Sequence, residues 1–124
     1  MPILDVEIVL SPGESMPPDF AKRLADCSCE VFDTTPCTTW VKVRSVPAEC
    51  FAENGGGPLA GAYPIFVSVL MVDMPPRKSL VPVVNRLKLL VSGVTGRPVC
   101  HIHVFFLPEG AGRVFMGGRL TARN

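Results

Sequence analysis

Neither sign of charge dominates this sequence. Its 124 residues carry 12 basic and 11 acidic side chains, so it lacks the positive footprint that binding to nucleic acid or an anionic membrane requires. Its apolar runs are only as long as strands, too short to span a bilayer. No basic segment followed by an apolar one opens the chain, so we expect no secretory signal. These absences predict a cytoplasmic protein with no nucleic-acid or membrane partner.

A disulfide framework is also missing from the pattern. The five cysteines are an odd number, and no Cys-x-x-Cys pair occurs among them. Such usage predicts reduced thiols in a cytosolic compartment. The Cys27-x-Cys29 pair falls in a predicted helix, and we interpret it as core packing.

The two halves of the chain resemble each other. Pro2-Ile3 opens one apolar run, and Pro64-Ile65 opens a second run 62 residues later. Two glycine turns, at 52–56 and 114–118, are separated by the same interval. The pattern predicts a tandem duplication with units at about 2–58 and 64–120. Because neither half would bury a comfortable core alone, we expect residues 1–124 to form a single domain.

Periodicity in the first unit predicts a strand, a helix and a strand. Alternation over 2–10 gives a strand with one apolar face. A helix follows, for which Ser15 with Pro17 and Pro18 is the expected start and 33–36 the expected end. Residues 40–46 form the second strand. The predicted apolar stripe of the helix consists of Phe20, Leu24, Cys27 and Val31.

The second unit repeats this order. Residues 65–72 read as a buried strand, and Ser79 is the expected N-cap of a helix with Pro82 near its first turn. Gly93 and the Gly96-Arg97-Pro98 segment are expected to end that helix, and 99–107 is the last long strand. The helix carries a broad apolar stripe of Leu80, Val83, Val84, Leu87, Leu90, Val91 and Val94.

Two β-α-β units predict an α+β fold with a four-stranded sheet and two helices on one face. Right-handed crossovers make the two strands within each unit parallel. The other sheet face is expected to be exposed and apolar, a patch too large to be idle on a monomer. We therefore expect a closed symmetric oligomer that buries this face.

Pro2 is the candidate catalytic residue. A Met before a small residue is normally trimmed, which would leave Pro2 with a free secondary amine. Such an amine can remove and return a proton, and apolar walls lower its pKa by disfavouring the ammonium. The alternative interpretation is that proline is merely tolerated at this position.

The motifs together resemble the tautomerase superfamily. They are the Pro-led strand, the duplicated β-α-β unit, Trp-Val-Lys-Val-Arg at 40–44, Ala-Glu-Asn-Gly-Gly at 52–56 and Gly-Arg-Val-Phe-Met-Gly-Gly at 112–118. The chain is most similar to a fused 4-oxalocrotonate tautomerase. The resemblance implies a cofactor-free homotrimer in which Pro2 is the general base for keto–enol proton transfer on a small, 2-oxo acid-like carboxylate. Pro64 is internal, so its acylated nitrogen cannot act as a base.

The resemblance also implies cationic residues that bind the substrate carboxylate and polarise its oxygen. The loop 11–15 lacks the arginine that the short family members carry there. The candidates for substrate binding are Arg77, Lys42, His103 and Arg113, with Val114 and Phe115 matching the apolar wall near the family's proline. The alternatives are solvated charges for Arg77 and Lys42, and contacts between subunits for Arg113 and Phe115.

Two further alternatives remain open. His101 and His103 share a strand face and could ligate a metal, but no structural zinc spacing accompanies them; a packed or interface pair is the other interpretation, and we predict no metal. The incomplete arginine set also suits a second class of function, a catalytically silent interaction protein built on the same fold.

Overall fold

A computed structural model describes residues 2–32, 37–58, 61 and 63–122. Six strands and two α-helices follow one another in these ranges, with single 3₁₀ turns at Ala48–Cys50 and Val99–His101. In chain order they are β1 (Ile3–Val9), α1 (Phe20–Phe32), β2 (Trp40–Val46), β3 (Ile65–Leu70), α2 (Arg77–Thr95), β4 (Ile102–Phe106), β5 (Phe115–Met116) and β6 (Arg119–Leu120).

The main sheet has four strands in the order β2-β1-β3-β4. The pairs β1–β2 and β3–β4 are parallel, as the crossover argument predicted, while the central pair β1–β3 is antiparallel. The registers Ile3–Trp40 and Ile3–Leu70 align the start of β1 and β2 with the end of β3. The predicted α+β architecture is therefore confirmed. β5 and β6 form a separate two-stranded hairpin.

The core lies between one sheet face and the two helices. Leu4, Val6 and Ile8 of β1 are fully buried, and they pack in one cluster with Leu24 of α1 and Leu87 of α2. Each such side chain contributes about 1.5–3 kcal/mol by leaving water. The alternating burial of β1 thus follows directly from its sequence.

Helix α1 differs from the prediction at its start and in one core position. It begins at Phe20 rather than near Ser15, because Pro17 and Pro18 favour extended backbone in the residues before them. Cys27 is exposed, so its assignment to the core is wrong. Ser28 is buried instead, and its hydroxyl donates to the Ala25 carbonyl at 3.4 Å. The predicted helix end at 33–36 lies outside the described residues.

Helix α2 begins three residues earlier than predicted, at Arg77. Ser79 is therefore in the first turn, where its N–H donates to the Pro76 carbonyl at 2.8 Å, and the N-cap position belongs to Pro76. The earlier start puts Pro82 in the second turn, where it cannot donate to the Lys78 carbonyl. The helix also continues through Gly93 and ends at Thr95, and Gly96, with a positive φ of 76°, caps it.

Strand β4 is shorter than the strand predicted at 99–107 from its apolar pattern. Val99–His101 form a 3₁₀ turn, and the strand proper starts at Ile102. Pro98 precedes this turn, and the His101 N–H donates to its carbonyl at 2.9 Å. Apolar composition alone does not distinguish a turn of this kind from a strand.

The sheet face away from the helices, here called the free face, is mixed rather than purely apolar, which corrects the prediction. Its β1–β2 half carries charged side chains, and its β3–β4 half carries aromatic ones. Asp5 lies 3.2 Å from Arg44 and 3.7 Å from Lys42. Phe66 contacts His103 and Phe105 at ring-centroid distances of 5.7 and 6.3 Å.

Arg97 joins segments from both halves of the chain. It is only 8% exposed, and its guanidinium donates to the Val9 carbonyl at 2.8 Å, to the Tyr63 carbonyl, and to Glu14 Oε1 at 2.6 Å. The loop after β1 is thereby tied to the end of α2. Neither helix of the described part is long and apolar enough to cross a membrane.

Candidate functional site

Pro2 lies fully buried immediately before β1. Its carbonyl accepts a hydrogen bond of 3.1 Å from the Trp40 N–H, which joins the residue to the start of β2. We call the end of the sheet formed by Pro2, Trp40, Leu70 and Phe106 the proline end. The neighbouring strand pairing leaves the Pro2 ring little freedom to turn.

An apolar wall closes the proline end on the side of the C-terminal hairpin. The Gly110 N–H donates to the Met71 carbonyl at 2.7 Å, and the Thr121 hydroxyl donates to the Gly110 carbonyl at 2.7 Å. These bonds bring the hairpin against the end of β3. Together they enclose a cavity of about 10 Å³, lined by Ile3, Leu70, Val72, Gly110, Val114, Met116 and Thr121.

Sequence reasoning included Val114 in this wall but missed Gly110, Met116 and Thr121. The Val114 side chain occupies the space next to Gly110, because a Cβ added to Gly110 would lie 3.1 Å from Val114 Cγ2. The motif at 112–118 indicates part of this wall. Side chains alternate along β5, which places Val114 and Met116 on one side and Phe115 on the other.

Arg77 and Arg113 lie at the proline end. Arg77 is the first residue of α2, and it borders an open groove of about 270 Å³ that Phe106 also lines. Arg113 is exposed, and its Nε donates to the Glu109 carbonyl at 3.1 Å. Both guanidinium groups retain N–H donors that could hydrogen-bond to a carboxylate.

Lys42 and His103 lie on the free face instead. Lys42 is opposite Asp5 in the sheet, and its Nζ is 3.7 Å from the Asp5 carboxylate. His103 is opposite Phe66, which is itself opposite Glu7. Glu7 follows Pro2 by five residues, so this level of the sheet is roughly 16 Å from Pro2 along β1. Within one chain, His103 and Pro2 are therefore not brought together.

Phe115 does not belong to the apolar wall beside Pro2. It is 68% exposed and pairs across the hairpin with Leu120, which is 49% exposed. This pair presents an apolar surface away from the chain. That geometry suits the alternative in which Phe115 contacts another subunit.

Charges on the free face nearly neutralise one another. Arg44 lies between Asp5 and Glu7, at 3.2 and 3.7 Å from their carboxylates. The contact of Arg44 with Asp5 lacks hydrogen-bond geometry, and the buried Asp5 Oδ1 has no hydrogen-bond partner among the described residues. The same residues contain no group of three His, Cys, Asp or Glu side chains arranged to hold a metal. All five cysteines are free.

Comparison with family models gives no match, and comparison with curated proteins gives none either. Solved structures do match over nearly the whole chain. A wild-type fused 4-OT, a symmetric trimer, superposes with a TM-score of 0.76 at 16% identity, covering 97% of this chain and 95% of that one. Pt0534 inactivated by 2-oxo-3-pentynoate gives 0.75 at 13% identity, covering 97% and 96%.

Macrophage migration inhibitory factor from Oncomelania hupensis also has a similar structure. It superposes with a TM-score of 0.75 at 16% identity and covers 98% of this chain and 82% of that chain. At such identities the likeness establishes the fold. The chain therefore has the fold shared by fused 4-OT and macrophage migration inhibitory factor, which is the fold that its motifs predicted.

Proposed function

We propose that the chain is a cofactor-independent tautomerase in which Pro2, after removal of Met1, is the general base. Its substrate is a small carboxylate of the 2-oxo acid type, interconverted between enol and keto forms. One observation carries the proposal: the residue that would become the N-terminus is a fully buried proline fixed to the neighbouring strand. Apolar surroundings favour the neutral amine, which is the form that accepts a proton.

Cationic side chains would stabilise the enolate oxygen and hold the carboxylate. Arg77 and Arg113 are at the proline end, where arginine forks suit a carboxylate. Lys42 and His103, on the free face, would reach Pro2 only across a contact between chains. Phe115 would likewise act as an apolar wall for a neighbour. These five assignments form part of the proposal.

A homotrimer would allow each site to combine residues of two chains in this way. One fold neighbour is a fused 4-OT in the form of a symmetric trimer, and the free face of this chain exposes Trp40 and Phe105, each at 50%. Three chains closed around these faces would bury them. The cavity of about 10 Å³ beside Ile3 is too small for a substrate, so the site must open at the hairpin or be completed by a neighbour.

The mechanism is tested by blocking the amine without removing the proline. The natural mature chain, checked by mass to begin at Pro2, should ketonise phenylenolpyruvate. A matched chain with Gly-Ser added before Pro2 keeps the ring but acylates its nitrogen. We expect both this chain and Pro2→Ala to lose roughly 10²–10⁴-fold in kcat/KM. Unchanged activity in the extended chain would exclude the proline mechanism.

A chemical probe separates chemistry from folding. 2-Oxo-3-pentynoate, which inactivated Pt0534, is an electrophile suited to a neutral amine. It should add to the peptide that begins with Pro2 in the mature chain and leave that peptide unmodified in the extended chain. Peptide mass mapping reads out the adduct independently of substrate choice.

A catalytically silent interaction protein is the second candidate. The small cavity and the absence of an arginine in the loop 11–15 favour it. On this hypothesis the mature chain would assemble normally, turn over no enol, and form no adduct at Pro2. The two experiments above therefore discriminate between the candidates.

A further inference from the structure

The outer surface of α2 exposes apolar side chains that a trimer formed through the free face would not bury. Val81 and Leu89 of α2 are 59% and 64% exposed, and Val99 after the helix is 41% exposed. The other large exposed apolar residues belong to the free face, the proline end or the hairpin. A contact through the free face would therefore leave the α2 surface facing outward.

This helix is also strongly basic. Its 19 residues include Arg77, Lys78, Arg86 and Lys88 and no acidic residue. Over the described part of the chain, none of these four side chains takes part in an ion pair, whereas Lys22, Lys42, Arg44 and Arg97 all do. The α2 surface thus combines unpaired positive charge with exposed apolar groups.

Concave surfaces flank Leu89 on both sides. Toward α1 there is a groove of about 460 Å³, lined mainly by Cys27, Val31, Leu90, Gly93 and Val94. Arg86 borders this groove and donates to the Glu30 carbonyl at 3.2 Å. A second concavity of about 440 Å³ lies beside Lys88 and Val99. A ridge between two hollows can interlock with side chains of another helix.

Gly93 keeps the larger groove open. It lies inside α2, and a Cβ added to it would meet nothing within 4 Å. Glycine inside a helix costs about 1 kcal/mol relative to alanine. Since neither a neighbouring atom nor a positive φ requires glycine there, close approach of an outside backbone would explain its presence.

We propose that the groove between α1 and α2 binds an acidic amphipathic helix of a partner protein. Apolar side chains of that helix would pack over Leu90, Gly93 and Val94, and its flanking carboxylates would pair with Arg86 and Lys88. Glu30 is the acidic side chain of the groove itself, so the partner's carboxylates belong at the α2 side. Helix-in-groove recognition of this type uses apolar anchors at i, i+3 or i+4, and i+7.

The recessed shape favours a helix over an anionic lipid surface. A bilayer would contact the protruding Leu89 and Val81 but leave both hollows empty. A partner helix fills a hollow and places charge beside it. The inference is independent of the proposed tautomerase activity, because Arg86, Lys88, Leu89 and Gly93 have no part in that site.

The test uses fluorescein-labelled 18-residue helical peptides. Each has glutamates on one face and leucines on the other, and the leucines stand at i, i+3 or i+4, and i+7. Fluorescence anisotropy with the full chain should show saturable binding of at least one peptide, weakened by added salt. Peptides with lysine in place of each glutamate should not bind. Vesicles of anionic and of neutral phospholipid, tested by sedimentation, form the second arm.

Three variants locate the site. Leu89→Glu, Lys88→Glu and Gly93→Leu should each weaken peptide binding at least tenfold, the last by filling the groove. Arg119→Glu, which makes the same charge change on the hairpin, should alter it less than twofold. Circular dichroism checks that each variant is folded. No binding of any acidic peptide, binding unaffected by all three variants, or binding to anionic vesicles alone would overturn the proposal.

Discussion

Gly93 and Gly96 lie three residues apart and experience different physical demands. Gly96 closes α2 with a φ of 76° and donates its N–H to the Ser92 carbonyl at 2.8 Å. Gly93 has no positive φ, and neither glycine has an atom within 4 Å of an added Cβ. Backbone conformation alone therefore separates the two positions.

Alanine at these positions should shift stability in opposite directions. We expect Gly96→Ala to lower the free energy of unfolding by about 1 kcal/mol, because a side chain disfavours left-handed backbone. Gly93→Ala should raise it by about 0.5–1 kcal/mol through helix propensity. Urea denaturation at one fixed chain concentration measures both. A loss of stability in Gly93→Ala would show that the groove is closed in the folded protein.

At the scale of elements, Arg97 and Glu14 connect the end of α2 to the loop after β1. Burial raises the pKa of Glu14, but the Ser11 N–H and the Arg97 guanidinium outweigh that effect, so the pKa lies below its ordinary value of 4.5. The ionised carboxylate is therefore favoured by the fold. Its stabilising contribution is complete above pH 4.5 and is lost as the pH falls through the lowered pKa.

Glu14→Gln should consequently destabilise the chain in a pH-dependent way. At pH 7 we expect a loss of about 1–3 kcal/mol, because Arg97 stays buried without its charged partner. The difference from wild type should shrink below pH 4.5. Asp26→Asn, which removes the exposed pair with Lys22, should change stability by less than about 0.5 kcal/mol. A Glu14→Gln effect that stays constant from pH 7 down to the acid unfolding of the wild-type chain would contradict the assignment.

Elements were predictable where burial alone decides the conformation. Alternation of Leu4, Val6 and Ile8 gave β1 correctly, and the stripe around Leu87 and Val91 gave the buried side of α2. Element ends were less predictable, because Ser79 has the chemistry of an N-cap while the chain turns at Pro76. The Arg97 contacts could not be foreseen, since they join residues 83 and 88 positions apart.

Part of the candidate site was readable for a similar reason. Pro2 and the terminal glycine motif stand out locally, and the fold brings both to the proline end. Lys42 and His103 match the family only by their position within each unit, and that position does not specify the strand level or the chain that they face. If the site is shared between chains as proposed, the order of residues in one chain cannot reveal it.

At the scale of the whole molecule, the proposed trimer depends on the free face. Its aromatic half joins Phe51, Phe66 and Phe105 through ring contacts of 6.3 Å, and Phe105 remains 50% exposed. On the opposite side of the molecule, Leu89 is 64% exposed. Exposure alone thus does not distinguish the two surfaces, but their surroundings do. The aromatic cluster is flanked by a nearly neutral charge ladder, whereas Leu89 lies among unpaired cations.

Charge placed at these two positions should therefore have unequal effects on assembly. Phe105→Glu should convert the proposed trimer to monomers at micromolar concentration, since a carboxylate would be buried among aromatic rings without a partner. Leu89→Glu makes the same kind of change on the α2 surface and should leave the trimer intact. Sedimentation velocity measures both, with circular dichroism as the check on folding. Dissociation by Leu89→Glu together with an intact Phe105→Glu trimer would place the subunit contact on the helical side.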